Sequence, residues 1–270
     1  MNRLTVLLVF ICSWVLSGAC QKAEPNNIAP IISSYGVPPE TATLVIKRLS
    51  DGKVWGSNLD RAAISYIPAS TSKIPHTLIA LETEESNLET VFKWDGQERW
   101  LKSWNQDQTL RQAYKRSTVW VYQEIAQSLG SEIMADWLAR FGYGNHNIGT
   151  SGNITTYWLS GPLEISALEQ VSFLTKLSQK EFPLSPVTYE NARTIFEDET
   201  IGGHTLFTKT GWMHDDEVMD IGWFVGWVET EHNSEIYAFA FNMDMPHQDD
   251  YRKRKPIVMD ALKHIGAWPE

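Results

Sequence analysis

The sequence predicts a mixed α/β (α+β) domain in which helices flank an antiparallel sheet and a helical subdomain is inserted. Apolar runs around a turn predict a hairpin over residues 42–57, the chain from about 108 to 200 is mainly helical, and strands return from Thr205 before a last helix. This order of elements favours a sheet with helices on its faces. Since no linker divides the chain, we expect one domain over residues 33–270, with the helical part forming one wall of a cleft.

The first elements are the hairpin and a helix over residues 70–83. Asp51-Gly52 separates two apolar runs and is typical of a hairpin turn. An apolar helical run follows Ser70, and Pro75, which lacks an amide donor, fits best near the start of a helix.

The later elements follow from hydrophobic periodicity. Helices are predicted over residues 110–129, 131–141, 163–177 and 186–196, strands over 205–209, 221–228 and 235–243, and a closing helix over about 254–265.

The N-terminus is typical of an export signal. Arg3 and the apolar stretch after it lead to small residues that end at Ala19, as a signal peptidase requires. The stretch is shorter than the roughly 20 residues of a membrane-spanning helix. We expect residues 1–19 to be a signal peptide, residues 20–32 a flexible segment, and the mature chain to have no transmembrane segment. This predicts export to the bacterial periplasm, with a lipid anchor at Cys20 as the alternative.

Composition excludes several classes. The net charge of −10 argues against nucleic-acid partners and against attachment to anionic membranes. Cys12 and Cys20 lie in the signal or directly after it, so the mature domain has no cysteine pair and must be held by its core. The seven histidines lack the spacing of a zinc hydrolase, and no metal is expected. Formation of a homodimer is left open.

Ser70 and Lys73 stand three residues apart at the start of the predicted helix. Side chains at this spacing share one helical face, so the amine is placed beside the hydroxyl. A serine needs a neighbouring base to attack a carbonyl, and a desolvated lysine supplies one. The same spacing at Ser50 and Lys53 lies across the hairpin turn, and we interpret that pair as structural.

A second motif, Lys209-Thr210-Gly211, stands at the end of a predicted strand. Lys209 gives a positive charge, Thr210 a donor for a substrate carboxylate, and Gly211 lets a ligand approach the backbone closely. The alternative interpretation is a surface lysine at a strand end. In this order the two motifs predict an acyl-transfer enzyme acting on β-lactams or cell-wall peptides.

Longer segments follow the order of one known family. They are Pro68-Ala69-Ser70-Thr71, Lys73-Ile74-Pro75, Leu78-Ile79-Ala80-Leu81-Glu82, Phe92-Lys93-Trp94-Asp95-Gly96, Val121-Tyr122-Gln123-Glu124, Tyr143-Gly144-Asn145, Ile165-Ser166-Ala167 and residues 222–229. Over about residues 65–262 the chain resembles the class D (oxacillinase-type) serine β-lactamases. The resemblance implies the fold shared by serine β-lactamases and penicillin-binding proteins, small-molecule β-lactams as substrates, and β-lactam resistance.

The resemblance also implies how the reaction is divided among residues. Ser70 would be the nucleophile, and Lys73 would be carboxylated on its amine by carbon dioxide (N6-carboxylysine) to serve as general base, with no other cofactor. That modification needs an unprotonated amine, which burial favours. Val119 and Leu159 would supply apolar walls, and the ring N–H of Trp158 would bind the carbamate; from the residues alone, Trp158 is equally a core anchor.

Further roles concern protons and the substrate carboxylate. Ser117 would pass protons during acylation, although a serine near a helix start is also a common cap. Backbone N–H groups of Ser70 and Trp212 would form the oxyanion hole. Lys209 and Thr210 would hold the carboxylate end of the substrate.

An arginine near the C-terminus would bind the same carboxylate. Arg254 fits the family pattern better than Arg252, and a solvated basic run is the alternative. The chain departs from the common pattern at Ser72, where phenylalanine is usual, and this predicts easier access of water to Lys73. The acidic loop 212–220 is expected beside the cleft, where it sets substrate choice or only adds solubility.

Two rival classes share this chemistry. A β-lactam sensor or penicillin-binding module would be acylated without releasing its product, but such sensors lie behind several transmembrane segments, whereas this chain has one short signal. A cell-wall carboxypeptidase would use the same serine and lysine, but the Trp158-Leu159 match favours a β-lactamase.

Overall fold

The computed structural model describes residues 26–215, 217–232 and 234–270. The strands are β1 (Asn26–Asn27), β2 (Ala42–Arg48), β3 (Val54–Gly56), β4 (Ser65–Tyr66), β5 (Val91–Phe92), β6 (Gln108–Thr109), β7 (Ile165–Ser166), β8 (Glu197–Ile201), β9 (His204–Met213), β10 (Ile221–Thr230) and β11 (Ile236–Asp244). The α-helices are α1 (Ala29–Ser34), α2 (Leu59–Ala62), α3 (Lys73–Glu82), α4 (Leu110–Arg116), α5 (Val119–Phe141), α6 (Ala167–Ser178), α7 (Pro186–Phe196) and α8 (Arg254–His264). Short 3-10 helices span Pro39–Thr41, Ala69–Ser72, Lys102–Trp104, Ser151–Asn153 and Gln248–Lys253. The predicted signal peptide 1–19 and Cys20 lie outside the described residues.

A seven-stranded sheet forms the centre of the fold, in the order β1-β3-β2-β11-β10-β9-β8. Its pairs are antiparallel except that of β1 with β3, which is parallel. The N-terminal hairpin joins the C-terminal strands through β2 and β11, where Val45 stands opposite Ala240. The predicted antiparallel sheet flanked by helices is confirmed.

Each face of the sheet has its own core, because successive side chains of a strand point to opposite faces. In β10, Trp223, Val225 and Trp227 belong to the core that contains residues of α3, α5 and α6. Phe224 and Val228 belong to the other core, which contains residues of α1 and α8. Within the described ranges, no helix is both long enough and apolar enough to cross a membrane.

The prediction of a single helix over residues 110–129 is wrong, because this part of the chain forms two helices. The first helix ends at Arg116, Ser117 adopts a left-handed conformation (φ 60°), and a new helix begins at Val119. Periodicity of apolar residues cannot reveal a single residue that reverses its backbone. The predicted break at residue 130 is real: Gly130 is non-helical within α5 (φ 78°, ψ 168°).

Three further boundaries differ from the prediction. The edge strand β8 has no counterpart among the predicted elements, because its polar residues show no alternation. The helix expected from residue 163 begins at Ala167, where Ser166 and Glu169 form a capping box. In the expected flexible segment 20–32, Ile28 and Ile32 are buried in the core beside α8.

Candidate active site

Ser70 and Lys73 meet at the turn that starts α3. Ala69 has a positive φ of 47°, a conformation that costs an alanine free energy and that recurs at functional sites. The 3-10 turn that contains Ala69 leads into Lys73, and the Lys73 Nζ donates to the Ser70 Oγ at 2.8 Å. At the pair with the same spacing, Ser50 donates instead to the exposed Glu235 carboxylate at 2.6 Å.

Lys73 is completely buried, although it is a lysine. Its ammonium lies 5.1 Å from the centre of the Tyr122 ring. Burial lowers the pKa of Lys73 to about 7. The amine is therefore substantially unprotonated at neutral pH and can act as a base or a nucleophile.

Ser72 does not open a path for water to Lys73. Its side chain is fully buried, and its hydroxyl donates to the Ala69 carbonyl at 2.7 Å. The expectation that Ser72 exposes the lysine is therefore wrong for this structure, because a small side chain is accommodated by close packing.

Trp158 lies in the loop between Ser151–Asn153 and β7 and is fully buried. Its Nε1 has no hydrogen-bond partner among the residues that the structure describes. A buried N–H without an acceptor typically costs about 1–3 kcal/mol. A carboxylate on the buried Lys73 amine is a group of the right chemistry to accept this bond, so the residues present fit the modification.

Ser117 and Lys209 form a second hydroxyl–amine pair. The Lys209 Nζ donates to the Ser117 Oγ at 2.8 Å and to the Thr210 carbonyl at 3.1 Å. Burial, and then the charge of Lys73, lower the pKa of Lys209 well below its ordinary value. Ser117 is the C-cap of α4 through its backbone, whereas its hydroxyl accepts the bond from Lys209 and does not cap α5, whose N-cap is Thr118.

The predicted position of Lys209 at a strand end is wrong. β9 continues to Met213, and Lys209 is only 4% exposed in the middle of the strand, opposite Val225. The interpretation as a surface lysine is therefore excluded.

A glycine is required at position 211 because the protein's own backbone passes close to it. A Cβ at this position would lie 2.8 Å from the carbonyl oxygen of Pro68 and 3.0 Å from the Thr71 side chain. β9 can thus pack directly against the turn that carries Ser70. The close approach predicted for a ligand is already made by the chain itself.

Arg254 and Arg252 differ sharply in environment. Arg254 is 7% exposed, lines the cleft, and donates to the carbonyl oxygens of Gly211 and, at 3.3 Å, Trp223. Burial lowers the pKa of Arg254 to about 10. The Arg252 side chain is 70% exposed and lies 3.5 Å from Asp249. Arg252 is therefore a solvated basic residue, whereas Arg254 is a buried residue of the cleft.

A cleft of about 1100 Å³ connects these groups. The predicted residues that line it are Ser70, Ser117, Val119, Leu159, Thr210, Gly211, Trp212 and Arg254. Lys73, Trp158 and Lys209 are buried and do not line it. The described residues contain no group of His, Cys, Asp and Glu able to hold a metal ion.

The cleft also has walls that the sequence did not single out. Trp100, 72% exposed, and Trp104 form an aromatic edge with centroids 6.2 Å apart. They belong to an irregular segment around a short 3-10 helix, so no periodic signal marks them. Met245, which follows β11, is a further lining residue.

The acidic loop lies beside the cleft, as predicted. Asp215, Glu217 and Asp220 line it, while Asp216 lies outside the described residues. Asp220 accepts hydrogen bonds from the Trp212 Nε1 at 2.7 Å and contacts the His214 Nδ1 at 2.9 Å. The carboxylate of Asp220 therefore holds the loop against Trp212.

Comparisons with known proteins identify the family. The family described as "Penicillin binding protein transpeptidase domain" matches residues 44–263. Beta-lactamase OXA-48 of Klebsiella pneumoniae is 43% identical over 214 residues, 79% of each chain. Beta-lactamase OXA-10 of Pseudomonas aeruginosa is 41% identical over 264 residues, 97% of this chain and 96% of that one. The crystal structure of the class D β-lactamase YbXI from Nostoc matches this structure with a TM-score of 0.86 and 37% sequence identity. The match covers 90% of this chain and 100% of the Nostoc chain. The chain belongs to the class D β-lactamases.

Proposed function

We propose that this protein hydrolyses β-lactam antibiotics through an acyl-enzyme on Ser70, with carboxylated Lys73 as the general base, and so confers resistance. The observation that carries the proposal is the 2.8 Å contact between the Ser70 Oγ and the amine of a fully buried lysine. Family membership supports the reaction class, since the relatives are named β-lactamases.

Three features support carboxylation of Lys73. Its amine has a pKa of about 7, so the neutral form that attacks carbon dioxide is abundant. Among the described residues, the buried indole N–H of Trp158 has no acceptor, and the apolar side chains of Val119 and Leu159 line the cleft. When present, the carbamate would supply a general base for activation of Ser70 and of the hydrolytic water.

The remaining residues of the site either bind the substrate or transfer protons. The Ser70 Oγ attacks the lactam carbonyl, and backbone N–H groups of Ser70 and Trp212 receive the developing oxyanion. As the C–N bond breaks, Ser117, hydrogen-bonded to the Lys209 Nζ, passes a proton to the leaving nitrogen. Thr210 and Arg254 hold the substrate carboxylate in the cleft.

The test is turnover of a penicillin by the purified chain from Gln21 onward in bicarbonate buffer. Ring opening is followed by absorbance, and intact mass reports the covalent adduct. Many turnovers with only a transient adduct support the proposal. One lasting adduct per chain would make the protein a sensor or penicillin-binding module, and neither signal in a folded sample would remove Ser70 from the mechanism.

We further propose that the chain is exported to the periplasm with residues 1–19 removed as a signal peptide. The sequence of the first 20 residues supports this. The mass of the mature protein from a bacterial host is the test, because simple cleavage and lipidation of Cys20 differ by the mass of the lipid. Light scattering on the same sample distinguishes a monomer from a homodimer.

A further inference from the structure

Three buried rings form a triangle below the cleft: His76, Tyr157 and Trp158. The Trp158 ring centre lies 4.7 Å from that of His76 and 4.8 Å from that of Tyr157, with interplanar angles of 88° and 81°. Near-perpendicular contacts of this kind are favoured by the charge distribution of aromatic rings. The indole is thus held by two neighbouring rings.

One hydrogen bond closes the triangle, since the Tyr157 hydroxyl lies 2.6 Å from the His76 Nε2. Burial raises the pKa of Tyr157 well above its ordinary value of 10. Burial, and then the charge of Lys73, lower the pKa of His76 to about 3. The bond therefore joins a neutral phenol to a neutral imidazole at neutral pH.

The same bond connects two elements of the site. α3 carries Lys73 and His76 three residues apart, so both lie on one side of the helix. Trp158 belongs to residues 154–164, a described stretch without regular helix or strand. Gly161 packs closely on this stretch, because a Cβ there would lie 2.4 Å from the Tyr157 Cα. The contacts of Tyr157 and Trp158 with the His76 ring therefore link this turn to α3.

Hydrogen bonding to the described residues does not orient the indole. Both the Trp158 Nε1 and the His76 Nδ1 are buried without a partner in the described part of the chain. The direction of the indole N–H is therefore set by packing against its two ring neighbours. We propose that His76, tethered to Tyr157, is a positioning residue that fixes the indole of Trp158 for the carbamate on Lys73. This rests on the proposed function, in which the indole N–H binds that carbamate.

The test measures how much bicarbonate each variant needs. Tyr157→Phe removes the hydroxyl and keeps the ring, and His76→Asn removes the nitrogen that Tyr157 contacts. We expect each to raise the bicarbonate concentration for half-maximal activity about fivefold, the typical effect of one neutral hydrogen bond. Saturating bicarbonate should return kcat close to that of the wild type. The control is Tyr189→Phe, which also removes a buried hydroxyl, one that contacts the backbone of Phe182, and it should leave the requirement unchanged.

The double variant of His76→Asn with Tyr157→Phe tests whether the two residues act together. Because both changes break one bond, the bicarbonate requirement should not exceed that of the worse single variant. Carbon-13 NMR of protein loaded with labelled bicarbonate reports the carbamate directly.

Each outcome has a defined meaning. A carbamate signal in the wild type with unchanged signals in the variants overturns the positioning role alone. A wild type without any carbamate signal overturns the proposed base and the positioning role with it. Losses of kcat that bicarbonate does not restore, in variants that melt like the wild type, would also overturn the positioning role.

Discussion

Burial makes Ser70 and Lys73 a reactive pair, because it lowers the pKa of the Lys73 amine to about 7. The spacing predicted their contact, and the structure places the two atoms 2.8 Å apart. The sequence could not show that Lys73 is fully buried, or that the buried N–H of Trp158 has no partner in the part of the chain that the structure describes. Both properties arise from elements distant in the chain, so no local pattern reports them.

The two residues have separable roles that substitution should reveal. Lys73→Ala should leave a lasting penicillin adduct or abolish the reaction, because deacylation loses its base. Ser70→Ala should give no adduct at all by intact mass. Retained turnover in Lys73→Ala would remove that lysine from the mechanism.

The chain provides its own control for these substitutions. Ser50 and Lys53 have the same spacing but lie at a surface turn, where Ser50 contacts Glu235. Ser50→Ala and Lys53→Ala should therefore leave kcat/KM unchanged.

The pH dependence of activity should follow the amine of Lys73. Its pKa is about 7, depressed from the ordinary value, so protonation below that pH removes the form that reacts with carbon dioxide. Carboxylation itself also releases a proton from the amine, so at a fixed, subsaturating concentration of dissolved carbon dioxide kcat should rise by at least about tenfold between pH 6 and 8. A profile that stays flat over this interval would contradict the assignment.

At the scale of elements, the site depends on a close approach between β9 and the turn before α3. Gly211→Ala would place a Cβ 2.8 Å from the Pro68 carbonyl oxygen and push the strand away from Ser70. We expect kcat/KM to fall about 10- to 100-fold, as displacements near 1 Å commonly cause. In Gly152→Ala the Cβ meets only the Thr150 side chain at 3.6 Å, so this control should keep full activity.

Elements were predictable where a single pattern determined them. The 42–57 hairpin, α7 and α8 follow directly from turn residues and apolar spacing. The division between α4 and α5 could not be predicted from such patterns, because the left-handed Ser117 is stabilised by tertiary contacts, including the bond from Lys209. The break between α4 and α5 at Ser117, which the sequence did not predict, is therefore part of the candidate active site.

At the scale of the whole molecule, the two cores should be separable by mutation. Ile32 is fully buried in the core beside α8, on the face of the sheet away from α3. Ile32→Ala should lower the free energy of unfolding by about 2–5 kcal/mol with kcat/KM nearly unchanged. Thermal melting and a penicillin assay at 25 °C measure both. Ile64→Ala, at a position that is 51% exposed, should change neither. A large loss of activity from Ile32→Ala would show that the two cores are coupled.

The overall architecture was predictable because the order of elements is itself informative, whereas the pairing of β2 with β11 was not. A hairpin early in the chain can join any free sheet edge, and no feature of its own residues chooses the partner.

That pairing has a consequence for how the protein is made. A ribosome delivers β2 roughly 190 residues before its neighbour β11, and contacts so distant in the chain form slowly. A nascent chain that has not reached Asp244 lacks the strand that joins its N-terminal hairpin to β9 and β10. Enzyme activity should therefore emerge only after β11 has been synthesised, because the shorter polypeptide lacks its complete central sheet.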